Sequence, residues 1–145
     1  MMIAELIATV AAGLFAGAAA YVTVAEHPAR LECGQVLAIK EFGPSYRRAA
    51  VMQGALAVVG FVASFFAWYD GAGADWLVWG LLLGALVPYT LVVIMPTNQR
   101  LLDPSLDAGS NEARELLVRW GRLHAVRTVV GIAAFVAFVG LLSRA

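Results

Sequence analysis

Two short stretches hold the groups best suited to chemistry. In the first, His27 is flanked by Glu26 and Pro28, with Arg30 three residues on. In the second, His124 has Trp120 at −4, Arg127 at +3 and Gly131 at +7. At helical spacing these four share one face. An imidazole, a guanidinium and an indole together offer a titratable group, a fixed cation and a flat apolar surface. Two further stretches add polar groups: Met95-Pro96-Thr97-Asn98 supplies an amide, and Tyr46 precedes Arg47 and Arg48. Each has a plainer reading when taken singly. Arg127 can snorkel to headgroups, Trp120 can sit in an interfacial aromatic belt, and His124 can be a packing contact. Pro96 alone is an ordinary helix stop, and Tyr46 with its arginines an interfacial anchor.

Composition says what scaffold must position these groups. Of 145 residues, 61% are hydrophobic and only 14% charged, against roughly 25% charged in soluble domains. A soluble domain of this size cannot hide so much apolar side chain, whereas lipid removes the need. Four apolar segments run from about Ile3 to Ala25, Ala49 to Tyr69, Trp76 to Met95 and Val126 to Leu142. Each approaches the ~20 residues that a spanning helix needs. The first lacks the basic start of a signal peptide, with Glu5 its only early charge, and reads as a retained helix. It also carries Gly13-Leu-Phe-Ala-Gly17, a spacing for close helix contact. Packing within the chain is the simpler use of that motif, a dimer interface the other.

The connections are unequal. A tight Gly- and Asp-rich turn at about 70–75 makes the second and third helices antiparallel. The other two, about 26–48 and 96–125, both follow an odd-numbered helix and so share one side. Nine of the ten Lys and Arg residues lie there, with Arg144 the exception. The positive-inside rule makes that side cytoplasmic and puts both termini outside. The expected location is a plasma membrane, the inner membrane of a bacterium. Ser110 is placed to cap a helix from about 111, with Leu116, Trp120 and Leu123 as its apolar stripe and Glu115–Arg119 as an i,i+4 pair. A weaker amphipathic pattern from Leu31 to Tyr46 is interrupted by Gly34 and by Gly43-Pro44. Pro88 predicts a kink, and Pro96 the end of the third helix. Tyr89, beside Pro88, reads as a packing residue, with an inward hydroxyl the second option. The expected architecture is all-α: one membrane domain over residues 1–145, a four-transmembrane-helix bundle with helices at about 3–25, 49–69, 76–95 and 111–142. Its two long cytoplasmic-side loops carry amphipathic helical extensions.

Both histidines then lie at the same membrane boundary. Ionisable groups that face a bundle interior at that depth mark function by default. The spacing predicts that His27 and His124 approach each other, with Asn98 close by. Many chemistries are absent from the sequence. There is no phosphate-binding Gly-rich loop, no Cys-x-x-Cys and no readable Ser-His-Asp set. Cys33 is alone, and zero net charge gives no reason to expect nucleic acid. Two histidines and Glu26 match no strong metal signature.

Glu26-His27-Pro28-Ala-Arg30, Pro96-Thr97-Asn98 and Trp120-x-x-x-His124-x-x-Arg127 resemble the DUF1772, or anthrone oxygenase-like, family. The likeness extends to the four-helix layout and the two same-side loops. It implies oxidation of anthrones to anthraquinones by O2 without flavin, haem or metal, so no cofactor is expected. An anthrone has an acidic C–H beside an aromatic ketone, and its anion reacts with O2 directly. On that reading His124 is the base. Arg127 stabilises the oxyanion, and His27 orients or assists, with His27 as proton donor, or the two histidine roles exchanged, as the alternative. Trp120, Asn98, Glu26, Arg30 and Tyr46 bind substrate. The expected partners are the bilayer and a small aromatic, phenolic or quinone-like ligand, with a homo-oligomer compatible. Two alternatives belong to other classes. His27 and His124 could be axial ligands of a haem, or hold a metal, in a small membrane protein. The chain could also be a non-enzymatic membrane subunit.

Overall fold

The computed structural model describes residues 2–144. Four helices are long and apolar enough to cross a membrane: α1 (Met2–Glu32), α2 (Gln35–Tyr69), α3 (Ala74–Leu101) and α4 (Asn111–Leu142). No strand occurs among the described residues. Hydrocarbon enforces this economy, because a helix satisfies its own backbone where no water can. The apolar faces divide accordingly. Val10, Val24, Val51, Val92 and Val129 point outward, as lipid-facing side chains do.

The helices close into a ring in which α1 packs on α2 and α4, α2 on α3, and α3 on α4. Close approach of α1 to α4 relies on two glycines. A Cβ on Gly13 would stand 2.8 Å from the Phe135 ring, and one on Gly131 2.7 Å from Phe15. Gly131 is therefore a packing residue. Gly17, the other half of the expected close-contact motif, has nothing within 4 Å of its Cβ position. The core toward the termini is built from small α1 residues around Phe15, with Leu83, Trp76 and Phe138. A second core, toward the basic end, gathers Phe42, Ile94, Leu117 and Trp120.

The long same-side connections turn out to be mostly helix. Segment 26–48 breaks only at Cys33-Gly34, where Gly34 takes φ 95°, a left-handed backbone suited to glycine. The helix runs straight through Gly43-Pro44, where an interruption was expected. Ser110 caps α4 as its position suggests, accepting from the Ala113 amide at 3.1 Å. The buried face of α4 is Ala113, Leu117, Trp120, His124 and Arg127, with Leu116 and Leu123 at its flanks. Arg100 ties the end of α3 to the start of α4 through Glu112 at 2.6 and 2.9 Å.

The prolines act differently from expectation. Pro96 does not end α3. The helix widens into a π-turn at Thr90–Ile94 and resumes from Met95 to Leu101. Pro28 is preceded in the same way, by a π-turn at Val22–Glu26. A proline ring crowds the carbonyl four residues back and lacks its own N–H. A widened turn immediately before it moves that carbonyl aside, so the helix survives. Pro88 is different: the α ladder is interrupted at Ala85, one residue after Gly84, the carbonyl its ring would meet.

Candidate active site

The widened turns lie at the basic end of the bundle and set the register of the residues that follow. After the α3 turn, Asn98 is fully buried and accepts from the indole N–H of Trp120 at 2.8 Å. An indole only donates, so the amide oxygen must face it and Nδ2 must face away. That Nδ2 is buried with no hydrogen-bond partner among the described residues. Arg127, one turn below His124 on α4, gives Nη2 to Gln53 of α2 at 3.0 Å and lies over the Phe15 ring. Its Nε is likewise buried and unpartnered. A buried donor without an acceptor costs roughly 1–3 kcal/mol.

His124 stacks on Trp120, with ring centres 4.8 Å apart. Its Nδ1 lies 3.1 Å from the Thr23 hydroxyl, which is 2.7 Å from that of Thr128. Thr128 in turn reaches the Ala19 carbonyl at 3.0 Å. A carbonyl only accepts, so Thr128 donates to it and accepts from Thr23. Thr23 then accepts from Nδ1–H of His124. This ordering makes every one of those bonds, and the reverse ordering forfeits the one to Ala19. In the neutral imidazole it leaves Nε2 as the nitrogen without a proton.

One small cavity, with about 20 Å3 of free space, is lined by Trp120, His124, Arg127, Asn98, Arg30 and Tyr46. All six were read from the sequence. Ser45 and Gln53 line it too, and neither was singled out. Gln53 had a signal, as a lone amide inside an apolar span. Thr23 and Thr128 had almost none, because threonine is common in membrane helices. Tyr46 is more than an interfacial anchor: it stacks on Phe42, and its hydroxyl lies 3.9 Å from the Met95 sulfur. Tyr89 does turn its hydroxyl inward, donating to the Leu123 carbonyl at 3.1 Å.

His27 and Glu26 lie outside this cavity. His27 lies against Trp120, ring centres 5.0 Å apart, and shares with His124 a separate groove between α1 and α4. Its Nε2–H donates to the Leu117 carbonyl at 3.0 Å. The approach is close enough that a Cβ on Gly121 would fall 2.8 Å from that nitrogen. Glu26 takes part in a network beside the cavity, paired with Arg30 at 3.1 Å and accepting from the Ser45 hydroxyl. Arg30 also pairs with Glu41 at 2.6 Å and lies over the Trp120 ring. Among the described residues, no group of three or more His, Cys, Asp or Glu side chains is gathered for a metal ion.

Four spanning helices that enclose a buried His–Arg–Asn cluster at one end define a small integral membrane protein with a polar site. The chain belongs to the anthrone oxygenase family, whose sequence model matches residues 42–137. Over 74 residues it is 36% identical to the anthrone oxygenase tpcL of Aspergillus fumigatus, covering 48% of this chain and 45% of that protein. Over 96 residues it is 30% identical to an anthrone oxygenase of Claviceps purpurea, covering 60% and 55%. The matches thus span about half the length of these curated relatives. No solved structure matches. The family match includes Asn98, Trp120, His124 and Arg127, while Thr23 and the Glu26–Arg30 stretch precede it.

Proposed function

We propose that this chain oxidises an anthrone, or a related phenolic or quinone-like compound, with O2 and without a resident redox cofactor. The observation that carries the reading is the pair of unspent donors. Nδ2 of Asn98 and Nε of Arg127 come from two helices, on side chains that line the cavity together with His124. Donors left buried in this way suit a ligand that brings an acceptor oxygen.

Nε2 of His124 takes a proton from the carbon opposite the ketone. The electron pair spreads onto the ketone oxygen, where Asn98 and Arg127 donate. O2 is the oxidant: one-electron transfer and recombination form a C–O bond at the carbon that lost the proton. Loss of the second C–H proton breaks the O–O bond, so CH2 and O2 become C=O and water. Every electron comes from the substrate. Trp120 supplies a stacking surface. His27 is a positioning residue that holds α1 against α4 through Leu117, and the Arg30 cluster shapes the cavity edge.

The bis-histidine haem alternative needs two free imidazole nitrogens facing one gap. His27 spends Nε2 on Leu117, and the Trp120 ring lies against both imidazoles. That arrangement favours the oxygenase reading, and an absorption spectrum of the purified protein checks it.

Oxygen uptake with an anthrone, in protein confirmed as folded by gel filtration, tests the proposal. His124→Gln is expected to lower turnover roughly 100- to 10,000-fold. Arg127→Gln is expected to lower it about 100- to 1,000-fold. Wild-type rates in both variants would reject these roles. No uptake by the wild type with any anthrone or hydroquinone would reject the activity.

A further inference from the structure

Beside the polar cavity lies a second space. An apolar groove of about 290 Å3 runs between α2 and α3 on the outer face of the bundle. Val51 and Leu91, which line it, are 76% and 58% exposed and face lipid. Arg127, Tyr46 and Ala50 line both spaces, so the groove leads to the cation of the site.

Packing does not account for it. Gly54 lines the groove from the middle of α2, and nothing stands within 4 Å of where its Cβ would be. Glycine is therefore not needed there for helix contact, and its effect is to keep the groove open. A guanidinium beside a lipid-facing cleft is costly unless it is used. The polar cavity alone, with about 20 Å3 of free space, has room for a water and is far below the roughly 300–1,000 Å3 typical of ligand pockets. Cavity and groove together suit a flat ligand with one polar edge.

We infer that the groove is the route by which the apolar rings of the ligand enter sideways from the bilayer between α2 and α3, its oxygen-bearing edge leading to Arg127 and the site beyond. The ligand class rests on the function proposed above, but the groove can be tested without turnover. Protein in phosphatidylcholine liposomes is irradiated with benzophenone, a membrane-partitioning diaryl ketone, and the label is mapped by peptide mass spectrometry. Saturable label is expected on 46–54 and 86–95. Gly54→Phe should abolish it. Gly17→Phe adds the same ring to an open site on α1 and should not. With an anthrone, Gly54→Phe should lose roughly tenfold or more in kcat/KM, while Gly17→Phe stays near wild type. Groove labelling in a wild type that consumes no O2 would keep the groove and reject the oxygenase reading. Label spread without saturation over all lipid-facing helices would overturn the groove. So would a Gly54→Phe protein that labels and turns over like wild type. Should that variant fail to fold, the wild-type label map decides.

Discussion

At the scale of single residues, the site is defined by which nitrogen does what. Trp120 spends the oxygen of Asn98 and so frees its amide, while Thr23 and Thr128 spend Nδ1 of His124 and so free Nε2. The threonine pair is thus assigned the task of fixing a tautomer. Thr23→Val removes the acceptor for Nδ1–H and keeps the side-chain shape. Its turnover is expected to fall by about tenfold or more, with KM little changed, and Thr23→Ser should restore most of the rate. Equal kcat for Thr23→Val and wild type would show that the imidazole is oriented without it. Arg127 is held twice, by Gln53 and by the Phe15 ring, which limits the directions its free Nε can take.

At the scale of elements, two widened turns control the register. Each stands just before a proline, and each precedes site residues: Val22–Glu26 before His27 and Arg30, Thr90–Ile94 before Asn98. A π-turn holds one residue more than an α-turn, so everything beyond it is rotated by about 100° relative to a regular helix. Pro96→Ala restores an N–H and removes the ring that crowds Val92. The variant is expected to keep or gain thermal stability. It should lose about 100-fold in turnover as Asn98 rotates from Trp120. A folded Pro96→Ala protein with wild-type rates would show that tertiary packing, not the proline, holds the turn.

For the whole molecule, mechanism is also a matter of sidedness. The basic residues gather at the end of the bundle that holds the site, and we propose that this end faces the cytoplasm. Cys33 is the only cysteine and is exposed at the α1–α2 junction on that end. A membrane-impermeant maleimide should leave it unlabelled in intact cells and label it after permeabilisation. Labelling before permeabilisation would reverse the orientation. The two cores serve different ends of the molecule. Small residues and glycines bring α1 close to α4 toward the termini, while aromatic and polar side chains fill the basic end.

The sequence by itself determined the membrane fold. Four apolar segments, a short turn and one-sided arginines are consequences of solvation, and solvation depends on composition more than on neighbours. Helical spacing also sufficed to put Trp120, His124 and Arg127 on one face, because those residues share a helix. Whatever depends on contact between helices was not legible in this way. Pro96 read as a stop, since the clash it relieves is local but the π-turn that relieves it is held by packing. His27 and His124 do line one groove between α1 and α4, since depth along the membrane is visible in sequence, but that His27 lies outside the polar cavity depends on rotation about a helix axis, which is not. That rotation places Trp120 against both rings and turns His27 onto a backbone carbonyl. It also joins Gln53, Thr23 and Thr128 to a site whose members lie up to 105 residues apart.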